Sequence, residues 1–137
     1  MSEGDRHRFL VIEDDPGLRE VYAEALTAAG NEVRNAPEGG GALRILQSGW
    51  MPCVILLDLR MPGLDGWQFA RRIRDEPAWR DIPIVVVAAH VRIDREAREI
   101  NAVAWLQKPF DLTRLERVAE LACREQHEQV AGNGGQH

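Results

Sequence analysis

Val54-Ile55-Leu56-Leu57-Asp58-Leu59-Arg60-Met61-Pro62-Gly63-Leu64-Asp65-Gly66 is the stretch that decides the fold. Consecutive aliphatic residues bounded by Pro and Gly turn chemistry predict a strand buried on both faces, and such strands belong to parallel sheets covered by helices. Asp58 then stands where the chain leaves the strand. Open α/β sheets bind ligands at the carboxyl ends of their strands, so a carboxylate delivered to that edge is a candidate reactive or metal-binding group.

Upstream of this stretch, residues 1–7 form a polar segment, and Arg8–Ile12 reads as a first strand ending on Glu13-Asp14-Asp15. Asp15 before Pro16 predicts a helix start, with Asp15 as N-cap and Pro16 at the first helical position, where its missing donor costs nothing. Leu18, Val21, Tyr22, Ala25, Leu26 and Ala29 give that helix an apolar stripe, and Gly30 stops it. Glu32–Ala36 predicts a weak second strand. Glu38–Ser48 predicts a helix with a poor start, because Gly39, Gly40 and Gly41 each cost about 1 kcal/mol against alanine.

Downstream, Asp65 is expected to cap a helix to about Asp75 with Phe69, Ala70 and Ile73 inward and Trp67 off the stripe. Ile84–Ala88 predicts a fourth strand. Ile93, Ala97 and Ile100 mark a fourth helix with a thin core stripe among charges. Val103–Gln107 predicts a fifth strand, and Asp111 caps a last helix with Leu115, Val118, Ala119 and Ala122 inward. From about Gln126 the apolar pattern ends, so 8–125 is expected to be the folded domain and 126–137 a disordered tail. Five strands, each followed by a helix, predict a five-stranded parallel sheet with helices on both faces.

The composition bounds what this domain can do. At 137 residues there is room for one covered core. The start is polar and no apolar stretch is long enough to cross a bilayer, so a cytoplasmic protein without membrane association is expected. A net charge of −5 argues against direct nucleic-acid binding, which needs a basic face. Cys53 and Cys123 lack metal or CxxC spacing and read as buried free thiols, and the four histidines form no ligand pattern. Of the 17 basic residues only Lys108 is lysine, which singles out the one place where a compact, mobile ammonium stands instead of a planar fork.

The strand ends collect the chemistry: Glu13 and Asp14 from the first, Asp58 from the third, Ala88 from the fourth, Lys108 from the fifth. Singly, each could be a solvated turn residue, a cap or a surface charge. Jointly, three carboxylates and one ammonium converge on one sheet edge. Carboxylates this close repel, so either one takes up a proton or a hard cation holds them together. Oxygen ligands of this kind suit Mg²⁺. Asp58 could then act as a nucleophile toward phosphorus, with Mg²⁺ and Lys108 stabilising charge on the phosphoryl oxygens.

Phe9-Leu-Val-Ile-Glu-Asp-Asp-Pro16, Val54 to Gly66, Ile82-Pro-Ile-Val-Val-Val-Ala-Ala89 and Trp105-Leu-Gln-Lys-Pro-Phe110 resemble the receiver domain of two-component response regulators, over about Arg8 to Ala122. The resemblance implies the flavodoxin-like (βα)5 fold with strand order 2-1-3-4-5. It implies that Asp58 accepts a phosphoryl group from a phosphohistidine on a sensor histidine kinase or histidine phosphotransfer protein. Glu13 and Asp14 match the acidic pair that binds Mg²⁺ with Asp58 and the backbone carbonyl of Arg60. Lys108 matches the lysine that contacts the acyl phosphate, and Pro109 follows a peptide bond that is usually cis. Such a domain is a signalling module and not an enzyme in the ordinary sense, although it can catalyse its own phosphoryl transfer and dephosphorylation. Its downstream protein target is expected on the face of the fourth helix, fifth strand and fifth helix. A monomer or a homodimer is compatible with the sequence.

Two departures bear on the switch. The family usually carries Ser or Thr where this chain has Ala88, and losing that hydrogen bond to a charged group forfeits roughly 1.5 to 3 kcal/mol. The aromatic partner of that hydroxyl is here Trp105, larger than the usual Tyr or Phe. Phosphorylation with a weakened or rerouted switch is therefore expected. Arg60 and His90 hold positions that flank the route of the attacking water in the family, where their bulk would slow hydrolysis, unless both point into solvent.

Other readings fit less well. A haloacid-dehalogenase-type hydrolase needs a second Asp where Arg60 stands, and a dinucleotide site needs its glycine-rich turn after the first strand. No output domain follows the fifth helix, so a stand-alone receiver is expected. The rival is a degenerate receiver acting as a phosphorylation-independent interaction module, which Ala88 makes conceivable.

Overall fold

Parallel pairing of β1 (Arg8–Ile12), β2 (Glu32–Ala36), β3 (Val54–Asp58), β4 (Ile84–Ala88) and β5 (Ala104–Gln107) makes one sheet in the order β2-β1-β3-β4-β5. The structure is a computed structural model that describes residues 7–59, 66–88, 98–108 and 110–132, with side chains as far as Cys123. Between the strands run α1 (Pro16–Ala28), α2 (Gly39–Gln47) and α3 (Gly66–Asp75), and a C-terminal helix (Leu112–Gly132) closes the chain. The expected fourth helix is represented by Arg98 to Ile100, which are helical; residues 89–97 lie outside the described ones. The order, the parallel sense and the alternation of strand and helix are those expected from the sequence.

Strand alternation sorts the core into two layers. Leu10, Ile12, Ile55, Leu57, Ile84, Val86 and Ala88 face Phe69, Ala70, Ile73 and the α2 residues Ala42, Leu43 and Leu46. Phe9, Val11, Val54, Leu56, Val85, Val87 and Leu106 face Tyr22 and Leu26 of α1 and Leu115, Ala119, Ala122 and Cys123 of the C-terminal helix. Every residue of β3 and β4 is buried, as expected of runs that are apolar on both faces.

The helix starts follow the local chemistry. The Asp15 carboxylate accepts from the Gly17 and Leu18 N–H groups, and Pro16 takes the first helical position. Gly30, at φ +100°, ends the turn after α1, a conformation that glycine adopts without strain. Asp111 accepts from the Arg114 N–H at the start of the C-terminal helix.

Several expectations need correction. Val21 and Ala29 lie on the exposed side of α1 or just beyond it, so the buried stripe narrows to Tyr22 and Leu26, with Leu18 partly covered. The poor start of α2 is compensated: the Glu38 side chain accepts from both Gly40 and Gly41 N–H groups. A Cβ on Gly40 would stand 2.8 Å from Glu38 Oε1, so the glycine makes room for the cap. Trp67 is partly buried against the core instead of free of it. Val103 precedes β5 and is exposed. The C-terminal helix continues to Gly132, past the boundary expected near Gln126, because the chain from Glu125 to Ala131 keeps good helix formers even after its apolar stripe ends.

Arg74 on α3 has a role that periodicity does not reveal. Its Nη1 donates to the carbonyls of Arg80 (2.7 Å) and Ile82 (3.0 Å), and its Nη2 to the carbonyl of Asn101 (3.0 Å). One guanidinium thus ties α3 to the segments that lead into β4 and β5. Asn101, at φ +65°, turns its carbonyl within that clasp.

Candidate functional site

The sheet register builds the site. Ile12 is level with Leu57, so Glu13, one residue past β1, comes level with Asp58, the last residue of β3. Ala88 is level with Gln107, and the Lys108 N–H donates to the Ala88 carbonyl at 2.7 Å, which brings the lysine to the same edge. Lys108 Nζ then lies 3.1 Å from Glu13 Oε1 and 3.4 Å from Asp58 Oδ2. The one lysine of the chain bridges two carboxylates from two other strands.

Burial sharpens the electrostatics. Glu13 and Asp58 are 2% and 4% exposed, whereas Asp14 is open to solvent. Glu13 is held by three elements: its Oε2 accepts from the Asp15 N–H at 3.2 Å, its Oε1 from Lys108, and its backbone carbonyl from Arg19 Nη1 at 2.9 Å. Burial, then the hydrogen bond and repulsion from Asp58, push the Glu13 carboxyl from 4.5 up to about 7, against the opposing pull of the Asp15 N–H and Lys108. Burial alone would lower the Lys108 ammonium, but Asp58 and Glu13 outweigh it and hold the ammonium above its usual range.

Gly66, the first residue of α3, sets the other wall. A Cβ there would stand 2.9 Å from Leu59 Cα and 3.2 Å from the Asp58 carbonyl oxygen. Only a glycine lets α3 begin this close to the end of β3.

One ligand oxygen from each of Glu13, Asp14 and Asp58 can be drawn within 4.8 Å of the others. Three ionised carboxylates and one ammonium sum to −2, a deficit that a divalent cation cancels. The donors are all oxygens, few in number, with Asp14 on the wet side, which fits Mg²⁺ and the waters it retains. The Arg60 carbonyl, expected as a further ligand, lies outside the described residues, as do His90, Pro109 and the expected cap Asp65.

At the positions expected to form the switch, Ala88 is buried in the layer under α2 and α3 and offers no polar group. Trp105, on β5 level with Val86, is 43% exposed. Its ring is directed outward, where it lines a surface hollow with Gln107, Phe110, Asp111 and Arg114.

The fold also brings together three residues that sequence spacing left unconnected. His7, Cys53 and Cys123 place Nδ1 or Nε2 and both Sγ atoms within 4.8 Å of one another, with Cys123 Sγ 3.1 Å from His7 Nδ1. Cys123 is buried, but Cys53 is only partly so, which corrects the expectation of two buried thiols. No local pattern could have found this cluster, because each member belongs to a different part of the chain.

The family model of the response regulator receiver domain matches residues 9–120. The chain belongs to the response regulator receiver domain family. The receiver is 38% identical over 106 residues to the response regulator PleD of Caulobacter vibrioides, covering 76% of this chain and 23% of PleD. It is 32% identical over 121 residues to the DNA-binding transcriptional regulator NtrC of Escherichia coli, covering 87% of this chain and 25% of NtrC. The chain thus spans about a quarter of the length of these two relatives. Among solved structures it resembles the chemotaxis response regulator CheY4 of Vibrio cholerae, with a TM-score of 0.79 and 26% identity over 85% of this chain and 98% of that one. It also resembles NtrX from Brucella abortus, with a TM-score of 0.84 and 26% identity over 93% of this chain and 30% of that one. Receivers are signalling domains of two-component systems, which work between histidine kinases and downstream effectors. No helix among the described residues is long and apolar enough to cross a membrane.

Proposed function

We propose that this receiver takes a phosphoryl group onto Asp58 from the phosphohistidine of a sensor kinase or histidine phosphotransfer protein in the cytoplasm, and passes the signal on through protein contacts. The observation that carries this reading is the bridge from Lys108 Nζ to both Glu13 Oε1 and Asp58 Oδ2 at the carboxyl edge of the sheet. A carboxylate oxygen of Asp58 attacks phosphorus, the N–P bond to the donor histidine breaks, and the imidazole leaves with its electron pair. Lys108 turns from Glu13 and Asp58 to the arriving phosphoryl oxygens, a motion its four-carbon stem allows. Glu13, Asp14, Asp58 and the Arg60 carbonyl would hold Mg²⁺, which when bound supplies positive charge to the phosphoryl oxygens.

Burial of Asp58 excludes bulk water from one side of the acyl phosphate, while exposed Asp14 leaves the other side open to the donor. The downstream partner binds the face that carries Trp105 and the C-terminal helix.

Ala88 favours a second reading, in which the receiver binds partners regardless of phosphorylation, since the buried methyl offers no hydrogen bond to a phosphoryl group. Intact-protein mass spectrometry after incubation with a small phosphoryl donor separates the two. One Mg²⁺-dependent phosphoryl group, lost in Asp58→Asn, supports the phosphoacceptor. No modification of the folded protein, with either a small donor or a phosphohistidine donor, overturns it in favour of the phosphorylation-independent module.

A further inference from the structure

The edge of the sheet opposite Asp58 carries a second group of ligand-bearing side chains, of a different chemical kind. His7 stands one residue before β1, Cys53 one residue before β3, and Cys123 on the C-terminal helix. Their backbones are fixed by the sheet itself: the Cys53 N–H donates to the Arg8 carbonyl at 2.7 Å, and the His7 carbonyl accepts from the Glu32 N–H at 2.9 Å. The His7 ring stacks on Phe9 with centroids 6.3 Å apart, and the Asn31 side chain accepts from the His7 N–H at 3.4 Å. Two of the three ligands are thus set on rigid backbone, and the third sits on a helix whose neighbouring side chain Ala119 is fully buried.

We propose that His7, Cys53 and Cys123 form a binding site for a thiophilic divalent cation of the zinc type. In a tetrahedral site, with metal–sulfur and metal–nitrogen bonds of about 2.3 and 2.0 Å, ligand atoms stand roughly 3.3 to 3.8 Å apart. The Sγ–Nδ1 separation of 3.1 Å, and a spread of all three ligand atoms within 4.8 Å, come within small side-chain rotations of that arrangement. The donor set is one imidazole and two sulfurs, which selects against Mg²⁺ and for zinc-like ions.

Charge makes the same choice. Two thiolates and a neutral imidazole cancel a divalent cation, so the complex adds no net charge to a partly buried site. Binding forms two metal–sulfur bonds and one metal–nitrogen bond, releases two thiol protons to solvent and changes no oxidation state. Three protein ligands leave one position for water. A cation here would pin the C-terminal helix to the base of β1 and β3.

The test is a Co²⁺ titration of the whole, reduced chain in excess Mg²⁺, which keeps the carboxylate edge occupied. The expected result is a thiolate-to-cobalt charge-transfer band that saturates at one equivalent, bleaches with Zn²⁺ and is unchanged in Asp58→Asn. Cys123→Ser and Cys53→Ser should weaken Zn²⁺ binding at least about tenfold, since losing a direct ligand costs no less than losing an outer-shell partner, about 10- to 100-fold. His7→Ala should weaken binding while a thiolate band remains. Cys53 is partly exposed, so Cys53→Ser keeps the test open if Cys123→Ser fails to fold. A folded parent without the band at one equivalent, or a band that survives Cys53→Ser undiminished, overturns the site.

Discussion

Glu13→Gln should stabilise the metal-free protein at alkaline pH, although it removes a residue from the centre of the site. The Glu13 carboxyl titrates near 4.5 in an unfolded chain and is pushed up to about 7 in the fold. Below pH 4.5 it is protonated in both states and carries no penalty. As pH rises beyond that, the unfolded chain gives up the proton first, so stability falls until the folded group ionises near pH 7, then levels off. A displacement of this size corresponds to roughly 3 kcal/mol at 1.36 kcal/mol per pH unit. Glutamine escapes this ionisation cost, in which the pull of Lys108 at 3.1 Å is already included, so a net gain approaching about 3 kcal/mol is expected above pH 7.5.

The assay is urea denaturation followed by tryptophan fluorescence, for parent and variant, at pH 4.5, 6 and 8 in EDTA. The difference between the two proteins removes the contribution of titrating groups that do not interact with Glu13. It should be near zero at pH 4.5 and grow in favour of Glu13→Gln through pH 7. Adding Mg²⁺ at pH 8 should raise the midpoint of the parent far more than that of the variant, because cation binding favours the ionised set. A difference that does not change with pH, or that favours the parent at pH 8 without metal, would refute the argument from burial and repulsion.

Gly66→Ala should cost about 1 to 3 kcal/mol in denaturant unfolding, because the new methyl meets Leu59 Cα at 2.9 Å and backbone cannot yield cheaply. A slower phosphoryl transfer to Asp58 should accompany it, since the end of β3 must shift; unchanged stability would count against the close approach. Arg74→Ala should cost about 2 to 4 kcal/mol, as three charge-assisted hydrogen bonds to carbonyls are lost together. Hydrogen exchange should speed up around Ile82 and Asn101 before it does in β1. Ala88→Thr should strengthen the change in Trp105 fluorescence on phosphorylation of Asp58, and identical responses in parent and variant would argue that the missing hydroxyl is irrelevant to the switch.

The sequence was most legible where one residue type has one physical use. Val54 to Leu57 and Ile84 to Ala88 could be read at once, because a short run apolar at every position and bounded by turn chemistry fits a strand covered on both faces. Glu13, Asp58 and Lys108 were found by asking what each strand delivers to its carboxyl end, and the register brings these three together. Legibility failed where meaning depends on a distant neighbour. Gly39 to Gly41 read as a weak helix start until Glu38 folded over them. Val21 satisfied the helical period but faces solvent, since periodicity does not say how wide the covered stripe is. His7 and Cys123, 116 residues apart, meet only because the C-terminal helix packs on the sheet.

The Arg74 clasp recognises chain path and not side-chain identity. All three of its acceptors are backbone carbonyls, and every residue type supplies one of those. Exposed Arg80 could change its side chain without touching the contact, whereas Ile82 and Ile100 are also held by the core, so only the exposed positions of the segments leading into β4 and β5 are free to drift in sequence while their geometry is held. The constraint is concentrated on position 74 and on the left-handed turn at Asn101. A single cation, at the sheet edge opposite Asp58, thereby lets the exposed side chains of these segments vary while the sheet beneath them stays in register.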